Sequence, residues 1–180
     1  MKRICILDSR ERIDLDFDKQ MNNLIQHLED DKQVDWFLLN KMDIKYCVGC
    51  WDCWLKTPGL CRFKDNHREV LRSFVNADQV VFICELSVGF INSLLKKTMD
   101  RLIPIVLPYI REFHNESHHY PRYDLNPKIK IIVIDNETTE AEISLVKDYF
   151  LRVALNFDSE VKSFSLYNKL GDINDELFNI

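Results

Sequence analysis

Glycine is scarce in this 180-residue chain, which holds only 4 glycines and 5 prolines. Two of the glycines, Gly49 and Gly59, lie in one cysteine-rich segment, so few remain for loops whose backbone must approach a ligand closely. A phosphate cradle built from glycine-rich turns is therefore not expected in its usual form. The sequence also lacks a Gly-x-Ser-x-Gly motif and a Walker phosphate loop, which excludes the common hydrolase and P-loop patterns.

Long apolar runs and basic clusters are missing as well. No stretch approaches the roughly 20 apolar residues that a membrane helix needs, and the apolar run after the initiator Met is too short for a signal peptide. The net charge of −5 gives no basic face for nucleic acid. We therefore expect a cytoplasmic protein that contacts neither membranes nor nucleic acid.

The length and composition predict one domain. Hydrophobic residues make up 46% of the chain, which is enough to bury one substantial core at this size. No linker or internal repeat interrupts the sequence. We therefore expect a single domain over residues 1–180.

Strand-like apolar segments recur along the chain. They cover residues 2–8, 34–39, 79–85, 128–134 and 160–166. The third segment is apolar almost throughout, which is typical of a central parallel strand covered by helices on both faces.

Helical patterns separate these strands. The first places Phe17, Met21 and Leu28 on one face, and capping boxes at Asn66 and Thr139 predict the starts of two later helices. Alternation of strand and helix implies right-handed crossovers and a parallel sheet. Five strands predict a flavodoxin-like three-layer α/β sandwich of order 2-1-3-4-5, with ligands beyond the carboxyl ends of the strands. Residues 107–127 read as one long irregular insertion.

Four of the 6 cysteines fall within fifteen residues, at Cys47, Cys50, Cys53 and Cys61. The other two lie in strand-like runs, where a thiol is an ordinary small apolar group, so the composition favours a reducing compartment over a disulfide scaffold. Closely spaced thiols serve a metal or redox chemistry, or they pack a loop without a metal. A four-sulfur zinc site is one of the possibilities.

Several segments together resemble the NAD(P)H-dependent FMN reductase family. They are the cysteine segment 47–61 with its Lys-Thr-Pro-Gly sequence, residues 77–84, residues 95–101 and residues 118–123. The resemblance implies an FMN-binding oxidoreductase that takes hydride from NADH or NADPH and passes electrons to an unidentified acceptor. It also implies a dimer or larger homo-oligomer.

The resemblance further implies the cofactor contacts. Ser9, Arg10, Arg12 and Lys19 would meet the FMN phosphate, and Leu86, Ser87, Val88 and Gly89 would lie along the flavin ring. Both loops depart from the family pattern. The first has no glycine and several carboxylates, the second has Glu85 where proline is usual, and residues 135–137 replace a third loop that usually holds glycine.

The cysteine spacing is similar to that of iron-sulfur flavoproteins. That similarity implies a [4Fe-4S] cluster on Cys47, Cys50, Cys53 and Cys61 and makes an electron carrier the first alternative. A second alternative is a degenerate flavodoxin-fold protein without a cofactor, acting as a binding or structural oligomer. The aromatic residues of the insertion, Tyr109, Phe113, Tyr120 and Tyr123, predict a surface buried by a second copy of the chain.

Overall fold

Five parallel strands form the central sheet of the computed structural model, which describes residues 1–12, 14–124, 126–134 and 138–167. The strand order is β2-β1-β3-β7-β8. These strands are β1 (Lys2–Asp8), β2 (Lys32–Leu38), β3 (Gln79–Ser87), β7 (Lys128–Ile134) and β8 (Glu160–Tyr167). The predicted order 2-1-3-4-5 is confirmed, and the short β4 (Phe90–Ile91) turns back antiparallel onto the end of β3.

The middle of the sheet is completely buried. Residues 80–84 of β3 have no exposed surface, because β1 and β7 pair with this strand on its two sides and helices cover both faces. Such burial explains why this strand is apolar without alternation.

Helices form the outer two layers. On one face, α1 (Leu15–Leu28) buries Phe17 and Met21 against Ile4, Ile6 and Val81. The opposite face carries the larger core, to which α3 (His67–Asn76), α4 (Ser93–Asp100) and α5 (Glu140–Leu155) contribute. A single turn, α2 (Asp52–Leu55), lies within the cysteine segment.

The two predicted capping boxes have different outcomes. The box at the start of α5 is confirmed, since Thr139 and Glu142 bond each other's backbone in both directions. The capping box predicted at Asn66 is wrong. The Asn66 side chain instead accepts a hydrogen bond from the Asp43 backbone N–H at 2.8 Å, and the Asp65 side chain accepts one from the His67 N–H. A long-range contact therefore competes successfully with the local cap.

The insertion at residues 107–127 is largely regular, so its prediction as an irregular segment is wrong. It contains an antiparallel hairpin of β5 (Val106–Phe113) and β6 (Glu116–Pro121). His114 and Asn115 form its turn with φ of 54° and 60°, the left-handed geometry that two-residue hairpin loops require. His-Asn is not one of the Asn-Gly or Asp-Gly pairs that mark a hairpin strongly, so the turn was hard to recognise from the sequence.

None of the helices within the described ranges is long and apolar enough to cross a membrane. The predicted bounds of β1 and β7 are confirmed, and the other three strands differ by one or two residues at their ends. The altered third loop at residues 135–137 lies outside the described residues.

Candidate functional site

Two loops, which follow β1 and β3, lie at the carboxyl edge of the sheet, and the space between them is named the crevice. The chain leaves β1 toward β2 on one side and returns to β3 on the other, so this is the point where strand order reverses and where doubly wound sheets bind ligands. Two hydrogen bonds join the loops. The Glu11 N–H donates to Glu85 Oε2 at 3.0 Å, and Asn92 Nδ2 donates to the Ser9 carbonyl at 2.6 Å.

Arg10 is turned into the protein from the first loop and is only 2% exposed. Its guanidinium donates to both oxygens of Asp8, with Nη2 2.7 Å from Oδ2, and Nη2 also lies 2.7 Å from Asp18 Oδ1. The Phe17 ring covers the guanidinium carbon at 3.7 Å. Burial alone lowers the pKa of Arg10, but the bonds to Asp8 and Asp18 raise it, so the group stays charged.

The neighbours of Arg10 are also bound within the protein. Asp8 accepts a further bond from Trp36 Nε1 at 3.2 Å. Ser9 is fully buried, and both its backbone N–H and its hydroxyl donate to the Ile83 carbonyl, at 2.8 and 3.2 Å. Neither Ser9 nor Arg10 therefore presents a donor to the crevice.

The N-terminus of α1 is closed by its own cap. Asp14 Oδ1 accepts from the backbone N–H groups of Asp16 and Phe17, each at 3.0 Å, and the Asp14 carbonyl accepts from Asp18 N–H at 2.9 Å. Free amides at a helix start are what normally hold a phosphate. Here a carboxylate of the chain holds them.

The second loop offers a different surface. Leu86 is half-buried, whereas Ser87 and Val88 are exposed at the tip of the β3–β4 turn. Gly89 has a φ of 72°, and a side-chain carbon there would overlap the Glu142 carboxylate. Hydrogen bonds from Thr139 lower the pKa of Glu142, so this carboxylate is ionised beside Gly89.

The residues of the crevice fit the two ends of FMN differently. Leu86, Ser87 and Val88 leave an accessible edge against which a flavin ring can lie. At the phosphate end, Ser9 and Arg10 do not fit the contacts predicted for them. The Ser9 donors are bonded to Ile83, and Arg10 Nε and Nη2 are bonded to carboxylates while its Nη1 is buried. Arg12 and Lys19 are exposed.

A second candidate site is the cavity of about 70 Å³ beside the cysteine segment. All four clustered cysteines line it, together with Trp51, Trp54, Phe63 and Arg101. Cys47 and Cys50 are exposed, while Cys53 and Cys61 are half-buried. Burial, followed by the proximity of the other three thiols, raises the pKa of Cys53 to about 11. The structure thus brings together the four residues that the spacing singled out.

Arg101 forms the inner wall of this cavity and is 1% exposed. Its Nη1 pairs with Asp65 and donates to the Lys45 carbonyl at 3.1 Å, while Nε and Nη2 make no hydrogen bond. Burial lowers the pKa of Arg101, whereas Asp65 and the adjacent Cys61 raise it. Local sequence patterns could not reveal this ion pair, because Asp65 and Arg101 lie 36 residues apart.

Within the described residues, no three His, Cys, Asp or Glu side chains are arranged to hold a single metal ion. The four thiols share a cavity without meeting at one point.

Known proteins resemble this chain in structure but not in sequence. No protein-family model and no curated protein matches the sequence. An azoreductase from Bacillus anthracis strain Sterne is similar with a TM-score of 0.65 and 15% identity, covering 98% of this chain and 93% of the other. An FMN-dependent NADH-azoreductase from Bacillus anthracis strain Ames Ancestor, solved in complex with FMN, is similar with a TM-score of 0.60 and 14% identity. The match covers 92% of this chain and 85% of the other.

An NAD(P)H:quinone oxidoreductase from Methanothermobacter marburgensis is also similar, with a TM-score of 0.55 and 13% identity over 92% of this chain and 85% of the other. These likenesses confirm the predicted flavodoxin-like fold.

His67 packs behind the cysteine cavity, at the start of α3. It is fully buried and its Nε2 lies 3.0 Å from the Thr98 carbonyl. Burial, and secondarily the charge of Arg101, lowers its pKa from 6.5 to about 4, although Asp65 acts in the opposite direction. The folded protein therefore keeps this imidazole neutral at pH values where an unfolded chain protonates it.

We expect His67 to make the protein less stable in mild acid. Its contribution is fully present above pH 6.5 and is lost as the pH falls toward 4, by about 3 kcal/mol. Urea unfolding at a series of pH values measures this loss. His67→Gln should reduce the slope between pH 6.5 and 4, whereas His27→Gln, a change of an exposed histidine, should not. Equal slopes in His67→Gln and the wild type would contradict the assignment.

Proposed function

We propose that the chain is a flavin-binding oxidoreductase that accepts hydride from NADH or NADPH, with FMN as the predicted cofactor. The observation that carries the proposal is structural likeness over 92% of the chain to an FMN-dependent NADH-azoreductase and to an NAD(P)H:quinone oxidoreductase. The crevice at the reversal of strand order supports it, since this is where such sheets bind cofactors.

The ring would lie along the β3–β4 loop. Leu86 and Val88 supply apolar surface, the exposed Ser87 hydroxyl supplies a polar contact, and Gly89 allows the Glu142 carboxylate to approach the backbone. The chain would contribute orientation and electrostatics, because the hydride chemistry belongs to the cofactor. We infer that this takes place in the cytoplasm, since none of the 6 cysteines is in a disulfide.

Flavin binding tests the proposal directly. The protein should quench the fluorescence of added FMN or riboflavin and should accelerate flavin-dependent oxidation of NADH or NADPH. Gly89→Ala should weaken flavin binding about tenfold, because the added carbon displaces Glu142 and shifts the loop.

Gly49→Ala is the matched control for this change. Gly49 also has a positive φ, of 62°, but nothing lies near its added carbon and it is far along the chain in the cysteine segment. Its flavin affinity should equal that of the wild type. Absence of binding by either flavin, at any concentration tested, would refute the oxidoreductase and favour a cofactor-free binding protein.

A [4Fe-4S] electron carrier is the second candidate function, and the cysteine cavity favours it. Four thiols line one cavity, and the buried guanidinium of Arg101 beside Cys61 would offset the negative charge of thiolate ligands. The two unbonded nitrogens of Arg101 could donate to cluster or cysteine sulfur. The thiols would have to close in from their present positions.

Iron and labile sulfide, measured in protein prepared without oxygen, test this candidate. A cluster should give both elements, and Cys53→Ser should remove them, since this thiol faces the other three. Cys84→Ala should retain them, because Cys84 is buried in β3 outside the cavity. Anaerobic wild-type protein with neither iron nor sulfide would exclude the cluster.

We also infer that the chain forms a homo-oligomer through the β5–β6 hairpin. Exposed apolar side chains lie on the hairpin and beside it: Ile103, Tyr109, Ile110, Tyr120 and Tyr123. Tyr109 is 67% exposed and Ile110 57% exposed. Exposed aromatic side chains of this kind are enriched at the centres of protein interfaces.

Light scattering at micromolar concentration should therefore give a mass of at least two chains. Ile110→Glu should shift the protein toward monomer, because a charge in an apolar interface is left unpaired. Leu145→Glu is the control, since Leu145 is equally exposed, at 56%, on α5. A monomeric wild type would contradict the inference.

A further inference from the structure

We propose that the flavin site of this chain does not select for the phosphate of FMN, and that it takes riboflavin, the uncharged flavin, at least as tightly. This inference rests on the proposed function and specifies its ligand. The carboxylates of the β1–α1 loop occupy the donors that a phosphate would need.

The start of α1 offers no free amide to a phosphate at Asp16 or Phe17. A phosphate at the start of α1 would have to bind the free N–H groups there, and these are the general anion site of such a fold. The carboxylate of Asp14 already accepts from Asp16 and Phe17, each at 3.0 Å. A phosphate could bind these amides only by expelling a carboxylate of the same chain.

Arg10 is the buried cation of this segment, whereas Arg12 and Lys19 are exposed. It is paired with Asp8 and Asp18, so the three groups together carry one net negative charge. The remaining nitrogen, Nη1, has no partner but is buried, and Phe17 covers the guanidinium face. A ligand in the crevice is therefore exposed to the net negative charge of Asp8, Arg10 and Asp18 but cannot reach Nη1 of Arg10.

The charge of the whole segment from the end of β1 through the first turn of α1 is also negative. Residues 8–19 hold five carboxylates and three basic side chains. Glu85 adds another carboxylate at the crevice, where its Oε2 accepts from Glu11 N–H. A phosphate dianion would be repelled by this field, whereas the terminal hydroxyl that riboflavin carries in place of the phosphate can donate to a carboxylate. The same loop that disfavours FMN suits the tail of riboflavin.

The inference therefore predicts a comparison between two flavins. Fluorescence titration of the full chain should give a riboflavin dissociation constant equal to or below that of FMN. Raising the salt concentration should strengthen FMN binding, because salt screens the repulsion, and should change riboflavin binding much less. A cationic phosphate site would give the opposite salt dependence for FMN.

Two variants identify the residues responsible. Asp18→Asn removes the net charge of the Arg10 cluster, and Asp14→Ser keeps a helix cap while removing its charge. Each should strengthen FMN binding about tenfold with little change for riboflavin. Asp16→Asn is the matched control, because it removes the same charge from the same turn. Asp16 is exposed and does not touch Arg10, so FMN affinity should rise by less than about threefold.

The possible outcomes separate this inference from the proposed function. FMN binding tenfold tighter than riboflavin, and weakening with salt, would overturn the inference and leave the oxidoreductase standing. An unchanged ratio of the two affinities in both Asp18→Asn and Asp14→Ser would overturn the assignment to these carboxylates. Failure of both flavins to bind would overturn the inference and the proposed function together.

Discussion

β3 lies in the middle of the sheet, paired with β1 on one side and with β7 on the other, and its residues 80–84 have no contact with solvent. Every other element is placed relative to this strand. Because its two neighbours are parallel to it, the loops that follow β1 and β3 emerge at the same edge. The crevice therefore exists because of backbone pairing, and the loop sequences determine only what it can bind.

The β1–α1 loop shows how a fold can be kept while its usual ligand contacts change. In place of a phosphate, Asp14 accepts from the Asp16 and Phe17 amides of α1, and Asp8 and Asp18 pair with Arg10, whose Nη1 makes no hydrogen bond. These contacts bond most of the buried polar groups of the segment within the chain itself. A cofactor at this edge of the sheet would therefore meet carboxylates whose partners belong to the chain.

The cysteine cavity depends on a different constraint, the burial of a charged guanidinium. Arg101 is stable inside the protein only because Asp65 pairs with it, and Asp65 also holds the Lys45 backbone at 3.0 Å. The ion pair thereby ties the end of α4 to both ends of the segment that carries the four thiols. The same charge lies beside Cys61, and after burial it is the next largest cause that keeps His67 neutral.

Much of the fold was predictable from the sequence, because it depends on local patterns. Apolar runs located all five parallel strands, and Thr139 with Glu142 marked the start of α5. The hairpin of β5 and β6 was missed, since its turn at His114 and Asn115 contains neither glycine nor proline. Local patterns report secondary structure well when the usual turn residues are present and poorly when they are not.

The two candidate sites also have some features that were predictable from local sequence and others that were not. The sequence by itself determined that four cysteines lie close together and that the first loop is acidic, because both are properties of adjacent residues. Only the tertiary structure decided that Arg10 faces inward and that Arg101 faces the thiols. Arg10 pairs with Asp8 and Asp18 beneath the Phe17 ring, and Arg101 pairs with Asp65, which lies 36 residues away in the sequence. The spacing of residues along a chain does not show which group a buried charge will pair with. Folding brings distant groups together, and the cost of desolvation favours only the pairings that offset it.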